Sequence, residues 1–296
     1  MKIGLMTRKA SLYSHKRIIE VASDRGHEVE PIDALRCTLV MRKDGLAMLH
    51  RGKPMEAPDV VIPRIGASIT WSGIAVLRQL VAMGARTVST PEAIANSRDK
   101  LTSQQLLAQA GIPVPDAVFL ARRAPHDGVL EHVGGAPAVV KALNSTHGDG
   151  VDLVHSMEEA EDRLDDYSSQ HQHALIQQFI EEADGKDLRC FVVGGQVIAA
   201  MRREAAEGEF RSNVHQGGHV FEANLSTRER EVAVEAAKVF GLGVAGVDLI
   251  RSYEGPLVLE INSSPGLEGI EEATGVDVAG HILDLIETNY GDLRAN

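Results

Sequence analysis

Asp248, Glu260 and Asn262 are the side chains of this sequence whose types and spacing best fit a chemical task. Glu260 and Asn262 lie two residues apart in "LVLEIN", so an extended strand turns both to one face. The turn "SYEG" lies midway between Asp248 and Glu260, which predicts a hairpin with the two carboxylates nearly opposite each other. Such oxygen atoms suit Mg²⁺ or Mn²⁺ shared with substrate phosphates. The spacing alone fits equally well a solvated strand face that ends in a turn.

Guanidinium and amide groups near these oxygen atoms would serve the phosphates of a metal complex. Arg211 and Asn213 lie two residues apart in "GEFRSNVHQGG", and Arg203 ends a β-rich run. Cations and amides on one face suit phosphate oxygens. Any one arginine taken alone is more typical of surface charge. Together they predict a lobe with acidic ligands at one end and guanidinium and amide groups at the other.

A strand that ends in Lys141 precedes a small polar loop in "VVKALNSTHGDGV", residues 139–151. This order is typical of a loop that surrounds phosphates. Asp149 is unusual in a polyphosphate site, and we interpret it as pointing to solvent rather than toward a cation or the incoming amine. We interpret His147, His215 and His219 as polar loop residues rather than catalytic bases, because the sequence places no carboxylate partner beside them.

The order of apolar segments predicts three lobes that would position these groups. Residues 1–95 alternate apolar strands with amphipathic helices, which indicates a small α/β domain with a parallel sheet. Residues 96–183 form the second lobe, with a helix from Asn96, strands and an acidic helix. Residues 184–296 form the third lobe, with a hairpin that turns at "VGGQ" and a helix whose capping box runs from Ser226.

Composition excludes several classes of function. The chain has 42 acidic and 30 basic residues, a net charge of −12, and therefore no overall field that would attract nucleic acid or anionic lipid. Its two cysteines, Cys37 and Cys190, lie far apart and outside any metal-ligand spacing. Neither a signal peptide nor a membrane span is predicted. We expect a soluble protein of the cytoplasm.

Segments from one end of the chain to the other resemble those of a known family. They include "SLYSHKR", "VIPRIG", "SRDKLTSQQLLAQAGIPVP", "QQFI", "GKDLR", "EGEFRSN", "VAGVDLI", "LEINSSPG" and "SPGLEGIEEATG". The sequence resembles the ATP-grasp ligases, and most closely the RimK-type α-L-glutamate ligases, which add glutamate to the C-terminus of a small-subunit ribosomal protein. The resemblance implies an α/β N-terminal domain plus an α+β ATP-grasp fold whose two lobes grip ATP. It also implies L-glutamate and the tail of a ribosomal protein as partners, and a homo-oligomer.

The same resemblance implies roles for individual residues. The implied ATP-binding residues are Lys100, Lys141, Gln178, Phe179, Asp187, Arg211, Ser212 and Asn213. The implied ligands of two Mg²⁺ or Mn²⁺ ions are Asp248, Glu260 and Asn262, and the implied catalytic residues are Arg203, Arg211 and Asn213. The sequence departs from the usual family pattern at Asp149, at Gln178 and at Ser263, where an apolar residue, glutamate and alanine are usual.

The implied reaction activates a carboxylate with ATP as an acyl phosphate and joins it to the amine of glutamate. The same ATP site would serve relatives that aminoacylate a carrier protein in lysine or arginine synthesis, or a pterin or deazaflavin cofactor. The stretches "PRIGASITWSG" and "SPGLEGIEEATG" would line the groove that distinguishes these acceptors.

A nucleotide-binding regulator without ligase activity is a further alternative, and the retained Lys141, Arg203 and Glu260 argue against it. A Rossmann enzyme is disfavoured because "KIGLMTRKA" lacks the G-x-G-x-x-G turn.

Overall fold

The computed structural model describes residues 1–143, 150–206 and 219–291. The first lobe contains β1 (Lys2–Met6), α1 (Tyr13–Asp24), β2 (Glu28–Ile32), β3 (Cys37–Arg42), β4 (Gly45–His50), β5 (Lys53–Met55), β6 (Val60–Pro63), α2 (Thr70–Ala82) and β7 (Arg86–Thr87). A parallel sheet of order β2-β1-β6-β7 confirms the predicted α/β domain. Its core is formed by the alternate residues of β1 and the apolar side of α1, for example Ile3, Leu5 and Ile18, all 0% exposed.

A second, antiparallel sheet of order β3-β4-β5 lies in the same lobe and was not predicted from the sequence. The side-chain amide of Gln79 in α2 donates to the carbonyls of Val40 and Ala47 and so fixes this sheet to the helix. Met41 in β3 is 74% exposed, so the strand lacks the continuous apolar pattern of a buried one.

Two helices, α3 (Pro91–Arg98) and α4 (Lys100–Gln109), follow where one helix from Asn96 was predicted. The predicted start was wrong because Asp99 caps α4 by accepting from the N–H of Thr102 at 2.8 Å. Pro91 occupies the first turn of α3, a position where its missing N–H has no cost.

The second lobe is an antiparallel sheet covered by one helix. Its elements are β8 (Ala117–Leu120), β9 (Ala138–Ala142), β10 (Val151–Val154), α5 (Met157–Ser169) and β11 (Ala174–Gln178), and the sheet order is β10-β9-β11-β8. Ala138, Val140 and Ala142 of β9 pack into the core under α5. Because side chains alternate along a strand, Val139 and Lys141 point away from that core.

The third lobe is built on a five-stranded antiparallel sheet of order β14-β13-β12-β15-β16, with helices on both faces. Its elements are β12 (Lys186–Val193), β13 (Gln196–Glu204), β14 (His219–Glu222), α6 (Thr227–Phe240), β15 (Val244–Ser252), β16 (Gly255–Asn262), α7 (Glu268–Thr274) and α8 (Val278–Tyr290). The predicted β12–β13 hairpin is confirmed, and both glycines of its turn have positive φ. Cys190 of β12 lies in the core with α6, and Phe191 lies in the core with α8. Helix α4, which falls within the predicted central lobe, packs against α6 and β16.

Helix α6 begins with the predicted capping box. Ser226 Oγ accepts from the N–H of Glu229 at 3.2 Å, and the Glu229 carboxylate accepts from the N–H of Ser226 at 2.7 Å. We expect Ser226→Ala to lower the free energy of unfolding by about 1 kcal/mol, because one terminal N–H loses its acceptor. Urea unfolding would measure this change, and an unaltered midpoint would contradict it.

Candidate functional site

One face of the third-lobe sheet changes character along its strands. At one end Phe191, Ala199 and Met201 pack against α7 and α8. At the other end the same face carries six polar side chains, drawn from four adjacent strands. They are Asp187 and Arg189 of β12, Arg203 of β13, Asp248 of β15, and Glu260 and Asn262 of β16. Cross-strand register brings them together, since Asp187 lies opposite Arg203, Arg189 opposite Asp248, and Asp248 opposite Glu260.

Two arginines and two aspartates form a buried network at this end of the face. Arg203 donates to both oxygens of Asp187, from Nε at 2.6 Å and Nη2 at 2.5 Å, and from Nη2 to Asp248 Oδ2 at 2.9 Å. Arg189 donates from Nε to Asp248 Oδ1 at 2.7 Å and from Nη2 to Oδ2 at 2.6 Å. Asp187, Arg203 and Asp248 are between 4% and 8% exposed. Because each buried charge has opposite charges within hydrogen-bond distance, their burial is tolerated.

These charges determine the ionisation of the network. Burial alone would raise the pKa of Asp248, but Arg189 and Arg203 outweigh burial and hold that pKa below its ordinary value. Burial alone would lower the pKa of Arg203, and the Asp248 and Asp187 carboxylates raise it instead. Asp248 and Arg203 are therefore both charged at neutral pH.

Glu260 and Asn262 complete the group beside Asp248. From the turn to the pair Leu249–Val258, the two strands pair in regular register. A β-bulge then inserts one extra residue in β16, so Asp248 lies opposite Glu260 rather than Leu259. The prediction that the two carboxylates lie opposite each other is confirmed, although the bulge was not foreseen. Part of the Glu260 side chain is exposed, yet loss of hydration among its neighbours, and next the charge of Asp248, raise its pKa.

The amide of Asn262 lies between Glu260 and Arg189. In the orientation that satisfies both ends, its nitrogen donates to Glu260 Oε1 at 2.9 Å and its oxygen accepts from Arg189 Nη2 at 3.2 Å. The opposite orientation leaves a 3.5 Å contact with Asp248 Oδ2, so we assign the first. Asp248, Glu260 and Asn262 thus converge as the sequence predicted.

Arg189 is a member of the site that the sequence analysis did not single out. The signal was present, because Arg189 follows Asp187 by two residues and alternation on a strand turns both to one face. The predicted separation of acidic ligands from guanidinium groups is also wrong for the described residues. Arg189 and Arg203 alternate with Asp187 and Asp248, since opposite charges on adjacent strands attract directly.

Lys141 and Lys100 face this group from outside the sheet. Loss of hydration lowers the pKa of Lys141 to about 8, partly opposed by the Glu260 carboxylate. The pKa of Lys100 is also lowered by burial, and the Glu260 carboxylate only partly opposes this shift. Lys141 Nζ donates to Gln177 Oε1 at 2.5 Å, and Lys100 Nζ donates to the carbonyl of Ala142 at 3.2 Å. Lys141 of the second lobe and Lys100 of α4 therefore lie close to the Glu260 carboxylate of the third lobe.

The remaining predicted residues are placed less directly. Gln178 ends β11, and its N–H donates to the carbonyl of Asp116 at 2.8 Å. Phe179 follows at the end of β11 and is half-buried. Arg211, Ser212 and Asn213 lie outside the described residues, as do Asp149, His147 and His215. His219 begins β14 and is exposed, so it belongs to a strand rather than a loop.

The donor set of Asp248, Glu260 and Asn262 fits a hard divalent cation. Two carboxylates and an amide oxygen are the ligands that Mg²⁺ and Mn²⁺ prefer. Loss of hydration is the larger cause of the raised pKa of Glu260, and a cation would offset the second cause, the negative charge of Asp248. Over the described ranges, no group of three or more His, Cys, Asp and Glu side chains could hold a metal ion.

Comparison with known proteins assigns the class of this fold and site. Residues 97–286 match the RimK-like ATP-grasp domain, and residues 1–94 match the RimK PreATP-grasp domain. Among solved structures, the ATP-grasp ligase PsnB complexed with its minimal precursor superposes with a TM-score of 0.76 at 24% identity, over 97% of this chain and 99% of that one. D-alanine–D-alanine ligase of Bacillus anthracis, complexed with ATP, gives a TM-score of 0.68 at 19% identity, over 100% and 99% of the two chains. The protein is an ATP-grasp ligase.

Relatives of higher identity define the family. The chain is 50% identical to a "Probable alpha-L-glutamate ligase" of Vibrio cholerae serotype O1 over 99% of its own length and 98% of that protein. A protein with the same name from Aliivibrio fischeri is 51% identical over the same shares. The chain therefore belongs to the RimK-like ATP-grasp family. Over the described part of the chain, no helix is both long and apolar enough to cross a bilayer.

Proposed function

We propose that this ligase uses ATP to join L-glutamate to the C-terminal carboxylate of a small-subunit ribosomal protein, through an acyl phosphate, with release of ADP and phosphate. The convergence of Arg189, Arg203, Asp248, Glu260 and Asn262 on one sheet face, with Lys100 and Lys141 opposite, is the observation that carries the proposal. The names of relatives at about half identity support glutamate as the amine.

The charges of the site fit phosphoryl transfer followed by amide formation. Asp248, Glu260 and Asn262 would hold two Mg²⁺ or Mn²⁺ ions, which when bound neutralise charge on the phosphates of ATP. Lys100 and Lys141 would contact the phosphates, and the backbone at Gln178 and Phe179 would contact the adenine. Arg203 would stabilise the transferring phosphoryl group and then the tetrahedral intermediate that forms when the amine attacks. Asp187 would act through Arg203, which it orients by two hydrogen bonds.

Arg189 has the same capacity as Arg203 to contact an anionic group. Its guanidinium is held in place by Asp248, and its side chain is 18% exposed, so part of it remains open to solvent. Arrival of a polyphosphate would give both arginines a second anion to bind and would free oxygen atoms of Asp248 for a cation. Metal and nucleotide should therefore bind to this site cooperatively.

A second candidate uses the same ATP site on a different acceptor, namely an amino-group carrier protein, a pterin or a deazaflavin. An ADP-release assay with Mg²⁺, ATP and glutamate tests both candidates, with and without a basic ribosomal protein that ends in glutamate. We expect ADP release that depends on glutamate and on that acceptor. Release with an unrelated acceptor alone would favour the second candidate, and no release with any acceptor would contradict the ligase proposal.

Lys141 gives the proposal a test by pH. Since its pKa is about 8 without nucleotide, it is partly deprotonated at that pH, and adjacent phosphates would raise its pKa and draw a proton from the buffer. We expect MgADP binding near pH 8 to take up a fraction of a proton, and uptake to vanish well below that pH, where Lys141 is already charged. Calorimetry in buffers of different ionisation enthalpy measures the uptake.

Lys141→Arg is the matched control for this experiment, because a guanidinium stays charged throughout this range. When MgADP binds to this variant near pH 8, the proton uptake that Lys141 contributes in the wild type should be missing. Equal proton uptake by both proteins would show that Lys141 does not contact the phosphates.

A further inference from the structure

Two arginines with no acidic partner among the described residues lie where the parallel strands of the first-lobe sheet have their C-terminal ends. Arg64 directly follows β6, and its backbone N–H donates to the carbonyl of Met6 at the end of β1 at 3.1 Å. Arg98 ends α3 and reaches the same place, where it donates to the carbonyl of Ile65. Through the described ranges, no carboxylate lies within ion-pair distance of either guanidinium. This contrasts with Arg189 and Arg203, which both bind aspartates.

The position of Arg64 in the sheet is one where ligands bind. In the order β2-β1-β6-β7, the chain leaves β1 in one direction through α1 and leaves β6 in the other through α2. The carboxyl ends of β1 and β6 therefore border a topological switch point, and open parallel sheets bind ligands in the crevice outside such a point. Arg8 and Lys9 follow β1 and are exposed at the same edge, so the crevice is locally cationic in an acidic protein.

Arg98 is fixed in place by neutral groups only. It donates to Thr70 Oγ1 at 3.0 Å, to Ser263 Oγ at 3.4 Å and to the carbonyl of Ile65. These acceptors orient the guanidinium without neutralising its charge. Burial lowers the pKa of Arg98, and it lowers that of Arg64 to about 10, with the charge of Arg98 as a second cause. The Nε of Arg64 is buried and has no hydrogen-bond partner. A pair of like charges held in this way is unfavourable until an anion joins it.

The backbone beside Arg64 is held by close packing. Ile65 is 2% exposed and lies against Gly73 of α2, where an added Cβ would come within 2.4 Å of its Cγ2. Gly73 thus allows the close approach that sets the direction of Arg64. The pair also adjoins the site described above, because Ser263 follows Asn262 directly and Ser264 Oγ donates to the carbonyl of Pro63 at 3.1 Å.

We propose that Arg64 and Arg98 bind a carboxylate of an acidic amino-acid substrate at this crevice. The proposal rests on the proposed function, which supplies two such carboxylate sources, free glutamate and the terminal glutamate of the acceptor. Arginine pairs suit carboxylates because their N–H groups match both oxygens. Arg98 contacts Ser263, the residue after the end of β16. A carboxylate bound there would place the substrate next to Glu260 and Asn262, with its reacting group beside the nucleotide.

Arg64→Met removes the charge and keeps the bulk of the side chain. Because the wild-type guanidinium is unneutralised, the variant should fold with equal or greater thermal stability. We expect KM for glutamate or for the acceptor to rise about tenfold to a hundredfold, the loss typical of a hydrogen bond to a charged group. KM for ATP should stay unchanged. Arg64→Lys should recover part of the loss, and Arg78→Met, at an exposed position of α2, serves as the control.

The two carboxylate sources are distinguished by which KM rises. A rise for glutamate assigns the pair to the incoming amino acid, and a rise for the acceptor alone assigns it to the acceptor's terminal residue. Unchanged KM values for both, or an equal rise for ATP, would overturn the proposal while leaving the ligase function standing.

Calorimetry separates failure of this proposal from failure of the proposed function. If the wild-type enzyme releases no ADP with glutamate, the proposed function has failed, and binding of glutamate, aspartate and succinate with MgADP present then tests Arg64 alone. Binding that is about tenfold or more weaker in Arg64→Met supports the carboxylate site. Affinities equal to those of the wild type for all three compounds would overturn it.

Discussion

We expect Glu260→Gln to lower turnover by about a thousandfold, equivalent to roughly 4 kcal/mol of transition-state stabilisation. Gln keeps the shape of the side chain and one oxygen, but it removes the charge that a divalent cation needs beside Asp248. Steady-state ADP release at saturating ATP measures the effect. Increasing the Mg²⁺ concentration should recover a small part of the activity, because Mg²⁺ then occupies a larger fraction of the weakened sites.

The same substitution should not destabilise the protein at neutral pH. The pKa of Glu260 is raised, by loss of hydration and then by Asp248, so the folded protein binds this proton more tightly than the unfolded chain does. Its contribution to stability is therefore present at low pH and is lost as the pH rises through the titration of the carboxyl group. Above that range Glu260→Gln should unfold at a temperature equal to or higher than the wild type.

Glu254→Gln is the matched control for Glu260, since Glu254 lies in the turn of the same hairpin and is exposed. It should keep both turnover and stability. Near-normal turnover in Glu260→Gln would show that Glu260 is not a metal ligand.

Arg203→Met should reduce turnover by about a hundredfold to a thousandfold, the range found when one charge-stabilising donor is removed. Unlike Glu260→Gln, it should also lower the free energy of unfolding by roughly 3–5 kcal/mol, because Asp187 and Asp248 lose a buried partner. Arg203→Lys should recover part of the stability, since it keeps the charge but cannot bind both oxygens of Asp187 in the same way.

Arg202→Met is the matched control for Arg203, because the adjacent residue lies on the opposite face of β13. Arg202 pairs with Glu204 at 2.9 Å and lies 5.1 Å from the ring centroid of Phe221, and its side chain is 41% exposed. Its replacement should cost less than about 1 kcal/mol and leave turnover unchanged. Equal stability of Arg203→Met and Arg202→Met would contradict the buried network described above.

The parts of the site that the sequence predicted are those with local signals. Alternation along "LVLEIN" and the turn "SYEG" were sufficient to place Asp248 opposite Glu260. The β-bulge that produces this register depends on packing around the hairpin, including the contact of the Leu259 carbonyl with the Gln104 side chain at 3.2 Å. No property of Leu259 itself indicates a bulge.

Cross-strand pairing explains what the sequence did not predict. Arg189 and Asp248 are 59 residues apart and meet only because β12 and β15 are neighbours in the sheet, an order that periodicity does not reveal. The contact between Arg98 and Ser263 spans 165 residues and depends on how helix α3 packs against the third lobe. Local patterns therefore predicted that Asp248, Glu260 and Asn262 lie together, and the pairing of charges required the structure.

Transfer of heavy oxygen from the acceptor carboxylate to phosphate is the direct test of activation through an acyl phosphate. An acceptor peptide that ends in glutamate, with its terminal carboxylate labelled, would be incubated with ATP, Mg²⁺, glutamate and the enzyme, and the peptide and phosphate analysed by mass spectrometry. We expect the peptide to gain glutamate and one labelled oxygen to appear in each phosphate released. Glutamate addition with all of the label retained in the peptide, or no addition with any acceptor, would contradict it.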